Sequence, residues 1–448
     1  MAYFKRHIDF QLQEWKNALH RKPLLIRGAR QVGKSTAVRE FGKSFHNFVE
    51  INLERQPDLC QLFTPNIDVK KTCKNLSGTL HKPIIPGETL LFIDEIQVCM
   101  EAIMALRYFK EDYPELHVIA AGSLLEFALE EVPSFGVGRI RSLYMYPFSF
   151  DEFLMAQGME LSVDYKKKAT SESPLPDLAH KNLIDQLRSF YLVGGMPAAV
   201  TEWIESHNYM AVSRIHNDIL ETYQDDFAKY KKRVSPILLR QVFRSVALQA
   251  GSKFVYAIAS KDVRSNMVKE ALHLLSLAGL IVPVKHTNAN GLPLGAEENS
   301  NYVKYLFFDL GVMQTMLGTP ASETLLATDV DFVNKGAASE MFAGLELIKY
   351  SDCFIKQEVH YWQNNTKNSL AEVDYLTAKD GKILPIEVKA STQGSMQSLW
   401  IFMRKHKIHE AIRTSLENFS QLYYYDKEAE QDERHVEIIP LYAISNIL

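Results

Sequence analysis

The stretch Leu24-Leu25-Ile26-Arg27-Gly28-Ala29-Arg30-Gln31-Val32-Gly33-Lys34-Ser35-Thr36 decides the fold of the first part of the chain. A short apolar run meets a glycine loop, and Ser35-Thr36-Ala37-Val38-Arg39-Glu40-Phe41 then continues with helical spacing. Strand, loop and helix in that order make an anion site, because the loop N–H groups and the helix N-terminus converge on one place. The spacing G-x-x-x-x-G-K-S is that of a P-loop. It predicts a nucleoside triphosphate, ATP with Mg²⁺, cradled by Gly28, Ala29, Arg30, Gln31, Val32 and Gly33. Lys34 would reach the β and γ phosphates, and the Ser35 hydroxyl would ligate the metal ion. A chance glycine-rich turn is the plain alternative, and the strand before and helix after argue against it.

The rest of such a site requires a carboxylate at the end of a buried parallel strand. Thr89-Leu90-Leu91-Phe92-Ile93-Asp94-Glu95 supplies it, since a continuous apolar run ending in charge fits a strand covered on both faces. Asp94 is expected to hold Mg²⁺, and Glu95 to orient or deprotonate the attacking water. A third strand, His117 to Ser123, delivers Ser123 as a sensor of the γ-phosphate. In Gly136-Val137-Gly138-Arg139-Ile140-Arg141, Arg139 is the candidate finger that stabilises charge on the transferring phosphoryl group. A plain surface arginine is its competing reading.

At this point the residues resemble a family. The stretches LIRGARQVGKST (25–36), LFIDEIQ (91–97), AAGSL (120–124), GRIRSLYMYPFSFDEF (138–153) and GGMPAA (194–199) are similar to prokaryotic AAA-type ATPases. In these a P-loop domain is followed by a helical region and a C-terminal domain of unknown function. The resemblance implies Lys34, Ser35, Asp94 and Glu95 as nucleotide-site residues, Ser123 as a sensor and Arg139 as a possible finger; Thr36, next to Ser35, is a further candidate nucleotide-binding residue.

Length and composition frame these readings. A chain of 448 residues exceeds what one core organises, with 46% hydrophobic and 23% charged residues and a formal net charge of -4. No global basicity points to nucleic acid, although a local basic face on a neutral chain attracts phosphates equally well. Cys60, Cys73, Cys99 and Cys353 show no metal-ligand spacing and cannot frame a chain this long with disulfides. With no apolar segment long enough to span a bilayer, the expectation is a cytoplasmic protein without membrane contact.

In the middle, Asp164 to His180 is polar and broken by Pro174 and Pro176, so it reads as a surface linker. Lys181 to about Arg233 has helical periodicity, a helix begins at Ile237, and Val263 to Gly279 carries a further apolar stripe. Strands at Leu280–Val284 and Tyr302–Phe307 follow, and helix, turn, helix, hairpin is a winged-helix pattern. Lys229, Lys231, Lys232, Arg233, Lys261, Arg264 and Lys269 could neutralise phosphates of DNA around it. Packing against protein is the rival use of such a fold.

Toward the C-terminus, Asp380-Gly381 is a strong hairpin signal between strand-like Glu372–Lys379 and Lys382–Ala390. A two-residue turn sets Lys379 against Lys382, Asp374 against Glu387 and Glu372 against Lys389, all on one face. Facing carboxylates destabilise a hairpin, and a divalent cation between them would remove the penalty. Pro385 fits this register but leaves a gap toward any strand on the other side. Asp followed by Glu-x-Lys is the arrangement of restriction-endonuclease-like sites, in which Asp374 and Glu387 hold Mg²⁺ and Lys389 lowers the pKa of a water. The family resemblance adds Glu340, in a helix from Ala337 to Lys349, as a further metal-side acid. It also implies a strand Phe354–Trp362 and a helix Ser395–His406. A salt-bridged structural face is the alternative.

The expected fold class is α/β throughout, in three parts. These are a P-loop NTPase parallel-sheet domain (1–160), a helical and winged-helix-like region (181–320) and a restriction-endonuclease-like domain (321–448). DNA, a protein partner and a second copy of the chain are the expected partners.

Overall fold

In a computed structural model the described residues are 3–63, 68–123, 125–130, 138–319, 335–364, 371–391, 394–425 and 433–448. They form two compact units, one built on Met1–Pro147 with Leu277–Gly279 and Asp352–Lys356, the other on the remainder. Leu124, Gly136, Val137 and the expected boundary at 321 lie outside the described residues. Among the described residues no helix is long and apolar enough to cross a membrane.

The first unit holds a five-stranded sheet of β1 (Leu24–Arg27), β2 (Asn47–Asn52), β3 (Thr89–Asp94), β4 (His117–Ala121) and β5 (Arg141–Tyr144), in the order β2-β3-β4-β1-β5. Every neighbouring pair is parallel. Such a sheet must be covered on both faces, and β3 and β4 are buried at every position. Leu25, Ile51, Leu91, Ile93 and Val118 form one core with Ile103, Leu106 and Phe109 of the helix Met100–Asp112. The carboxyl ends of β1, β3 and β4 lie together because the three strands are neighbours, and that edge is where open parallel sheets bind ligands.

The second unit carries the helical middle and a mixed eight-stranded sheet, in the order β12-β13-β11-β10-β9-β8-β6-β7. Its strands are β6 (Ile281–Thr287), β7 (Glu298–Phe307), β8 (Val359–Gln363), β9 (Glu372–Lys379), β10 (Lys382–Val388), β11 (Glu410–Ser415), β12 (Ser420–Tyr425) and β13 (Glu433–Pro440). From Lys379 opposite Lys382 to Tyr375 opposite Ile386 the β9–β10 register is the expected one, but β10 ends at Val388, so Lys389, expected opposite Glu372, lies beyond the strand. Asp380 and Gly381 take φ of 51° and 74°, as a turn with two left-handed residues requires. Parallel pairing of β10 with β11 starts only at Ile386, so the gap left by Pro385 falls before it. Trp362, Val373 and Leu376 pack on Leu399, Phe402 and Met403 of the helix Gln397–His406.

Three expectations change in this unit. Helices Pro236–Leu248, Tyr256–Ala259 and Ser265–Leu277 are followed by the β6–β7 hairpin, but β6 also pairs in parallel with β8. The hairpin is therefore sheet edge and not a free wing, and the pairing covers an apolar strand edge that would otherwise be exposed. The strand expected at Phe354–Trp362 is only Val359–Gln363, since Asp352–Lys356 belongs to the first unit. Asp164–Lys168 is not linker: it lies in the helix Glu160–Lys168, whose Lys166 is fully buried and bonds Asp151 at 2.7 Å. Polarity suggested solvent there, but a buried opposite charge makes the lysine an inside residue.

Candidate functional site

The P-loop side chains are set by backbone constraints. Gly28 has φ 142°, and a Cβ there would lie 2.1 Å from the Met145 carbonyl oxygen, so only glycine fits between loop and β5 exit. Gly33 turns left-handed at φ 98° to start the helix Lys34–Gly42. Gln31 is left-handed without being glycine, at φ 64°, a conformation that costs about 1–2 kcal/mol in a non-glycine residue. Buried Arg6 holds the loop from behind, donating to the carbonyls of Val32 (3.3 Å) and Tyr146 (2.9 Å). Thr36 is exposed on the helix.

Lys34 is buried, and its ammonium donates to the carbonyls of Gly28 at 2.9 Å and Ala29 at 2.7 Å. Burial pushes its pKa down to about 8, with Arg30 adding repulsion and Glu95 and Asp94 opposing the fall. The Ser35 hydroxyl lies 3.0 Å from each Asp94 carboxylate oxygen. Asp94, at the end of β3, is buried, which raises its pKa against the Ser35 hydrogen bond. Glu95 follows in left-handed backbone at φ 50°. Its Oε2 accepts from Gln97 Nε2 at 2.7 Å and from the Ser123 hydroxyl at 3.3 Å. The structure thus brings Lys34, Ser35, Asp94, Glu95 and Ser123 together at one sheet edge. Arg139 is half-exposed in a turn and pairs with Glu111 of the helix Met100–Asp112.

Sequence reasoning missed several neighbours. Asn52, beside Asp94 in the β2–β3 register, donates to it at 3.4 Å, and Arg39 approaches it at 3.8 Å while pairing with Glu50. Gln97 was visible as the last residue of LFIDEIQ, but its role depends on where β4 ends.

In the second unit, Asp374 accepts from the Val388 N–H at 2.7 Å, and Lys389 bonds Glu387. Glu387 is buried, and its Oε2 has no hydrogen-bond partner among the described residues. Burial pushes its pKa up to about 8, reinforced by the charge of Asp374. Among the described residues, Glu340, Glu372 and Asp374 form a group of three carboxylates with ligand atoms within 4.8 Å of one another. Burial pushes Glu340 up to about 8 as well. Lys304 of β7, almost wholly buried, bonds Glu340 at 2.8 Å and also bonds Glu372. This ammonium was missed by sequence reasoning; its one signal was a lone lysine inside Tyr302-Val303-Lys304-Tyr305-Leu306-Phe307. A separate group, Glu298, Glu358 and His360, is likewise bridged by a lysine, Lys285.

The basic residues of the middle region sort unevenly. Lys229 pairs with Asp226, Arg233 pairs with Glu270, and Lys269 lies over the Tyr256 ring. Lys231, Lys232, Lys261 and Arg264 are exposed.

Residues 20–154 match a family model described as an AAA domain. With the parallel sheet and the loop geometry, this part of the chain is a P-loop domain of the AAA ATPase type. Residues 184–323 and 335–444 each match a model described as a domain of unknown function (DUF8612 and DUF4143). No curated protein matches the chain. Among solved structures, the Aeropyrum pernix Orc1 protein in complex with DNA is 12% identical over 72% of this chain and 95% of that one, with a TM-score of 0.29. Drosophila ORC bound to DNA is 13% identical over 70% and 87%, with a TM-score of 0.28. Scores this low define no shared overall fold, so the functional case rests on the AAA match and on the site itself.

Proposed function

We propose that the chain binds and hydrolyses ATP in its AAA-type unit and couples this to a nuclease-like, DNA-associated site in the C-terminal part. Its working parts would be 1–160, 181–320 and 321–448. The observation that carries the ATPase reading is the meeting of Lys34, Ser35, Asp94, Glu95 and Ser123 at one edge of a parallel sheet. Lys34 exchanges its loop carbonyls for the β and γ phosphates, which need a cation more than the carbonyls do. The hydroxyl of Ser35 and the carboxylate of Asp94 are hard oxygen donors held together, a donor set that fits Mg²⁺. Bound there, Mg²⁺ would supply positive charge to the phosphoryl group. Glu95 orients a water and takes its proton, and Ser123 fixes the carboxylate that does so.

The nuclease-like reading is supported by Asp374 and Glu387 on adjoining strands, by Lys389 just past the end of β10, and by the buried oxygen of Glu387 that has no hydrogen-bond partner among the described residues. An acceptor oxygen buried without a donor fits a cation ligand. A divalent ion there would polarise a scissile phosphate, while Lys389 stabilises hydroxide. Lys231, Lys232, Lys261 and Arg264 are exposed cations suited to phosphate contact. One observation favours a second reading: Lys304 already neutralises part of the acidic group, as in a regulatory ATPase whose nuclease-like part is inactive. ATPase and nuclease assays run side by side on wild type, Glu95→Gln and Lys389→Ala, with DNA and RNA substrates, decide between them. Metal-dependent cleavage that disappears in Lys389→Ala is expected. ATP turnover with no nucleic-acid binding or cleavage would sink the nuclease reading and leave the switch.

A further inference from the structure

Gln97 occupies an unusual position. A carboxylate only accepts hydrogen bonds, so the 2.7 Å contact with Glu95 fixes Gln97 with Nε2 toward Glu95 and Oε1 away from it. That Oε1 is buried and has no hydrogen-bond partner among the described residues. It rests on Gly122, where an added Cβ would lie 2.0 Å from it and 3.1 Å from Gln97 Cδ. The next atom such a Cβ would meet is Leu125 Cβ, at an ordinary 3.6 Å. Gly122 is not among the left-handed glycines, so its backbone does not demand glycine. The absent side chain at 122 leaves room for the Gln97 amide, whose polar partner among the described residues is Glu95.

The contacts also divide the Glu95 carboxylate. Gln97 Nε2, the Ser123 hydroxyl and the Ser123 N–H all approach Oε2, the last at 3.5 Å. Oε1 is left to take a proton from water. Left-handed backbone at Glu95 starts the short turn Ile96–Val98 that brings Gln97 back over β4. Burying an unsatisfied amide oxygen is costly, and such costs persist where they hold a working group in place.

We propose that Gln97 is a positioning residue for Glu95, and that Gly122 is glycine because Gln97 must sit on it. The inference rests on the ATPase reading and deepens it. Gln97 does not touch the phosphates: it orients the carboxylate whose free oxygen activates water, so its loss lowers kcat and leaves nucleotide affinity in place.

The test is a mutant cycle on the full chain, reading steady-state ATPase kinetics and the Kd of a fluorescent ATP analogue. Gln97→Met keeps the bulk of the side chain and removes the donor; kcat is expected to fall about 10- to 100-fold, the usual range for loss of an orienting partner. The Kd should change less than about twofold, because the phosphate contacts are untouched. Gly122→Ala should lower kcat similarly in wild type and cost nothing further in Gln97→Ala, where no amide remains to be displaced. A normal kcat in Gln97→Met, or multiplying effects of Gly122→Ala and Gln97→Ala, overturns the proposal. Glu95→Gln is the separate control: if it turns over normally, the ATPase reading itself fails; if it is slow while Gln97→Met is normal, only the positioning role fails.

Discussion

Lys34 joins charge to burial most closely of the P-loop residues. Its ammonium is buried against the Gly28 and Ala29 carbonyls, and its pKa is pushed down to about 8. A bound triphosphate brings anionic oxygens to the same atom and raises that pKa, so binding takes up a proton once the solution passes pH 8. Affinity for an ATP analogue should be nearly flat below about pH 7, be roughly halved by pH 8 and weaken above it by up to roughly tenfold per unit. Affinity constant to pH 9.5 would contradict this placement of Lys34. Lys34→Ala should abolish binding, and unchanged affinity would remove the P-loop assignment. Glu95→Gln should bind normally and hydrolyse about 100-fold or more slowly, the scale of a lost general base.

At the level of elements, β7 brings Lys304 to the carboxylates of β9 and of the helix Lys335–Tyr350. One ammonium faces Glu340, Glu372 and Asp374, so it compensates only part of their charge. Lys304→Met should cost about 3–5 kcal/mol in urea unfolding, as when one partner of a buried pair is removed. Mn²⁺ restoring part of that loss would mark the cluster as a cation site; no response to metal would leave it a salt-bridged face. The hairpin shows how an element can be read directly. Asp380-Gly381 and strict alternation place Asp374 and Glu387 on neighbouring strands, because turn type sets register and register sets the face. The same alternation says nothing of β7, whose pairing with β6 and whose lysine come from outside the hairpin.

For the whole molecule, the buried acids set a pH dependence. Glu340 and Glu387 are raised to about 8 in the folded chain, whereas an unfolded glutamate ionises near roughly 4.3. Between these values the folded state binds more protons, so stability falls as pH rises and levels off past the folded pKa. The histidines with lowered pKa, such as His117 at about 4, act below their unfolded pKa and are silent above about pH 7. Urea midpoints at pH 7 and pH 8 should therefore show a loss of roughly 1–2 kcal/mol for the unit holding both acids. A rise across that interval would contradict it. Arg139 bears on assembly: if it reaches a neighbouring copy's phosphates, Arg139→Ala should hydrolyse slowly, and mixing with Lys34→Ala should partly restore activity. No restoration leaves Arg139 acting within its own chain or as a surface arginine paired with Glu111. By itself the sequence determined the P-loop, the Asp94-Glu95 strand end and the Asp374–Glu387 hairpin, because each is written in contiguous residues by periodicity and turn chemistry. Only the tertiary structure decided that Lys166 is inside, that the expected wing is sheet edge, that Lys304 answers Glu340 and that Gly122 seats Gln97. Those contacts join residues distant in the chain or on different strands, and their energies depend on burial that no local pattern records.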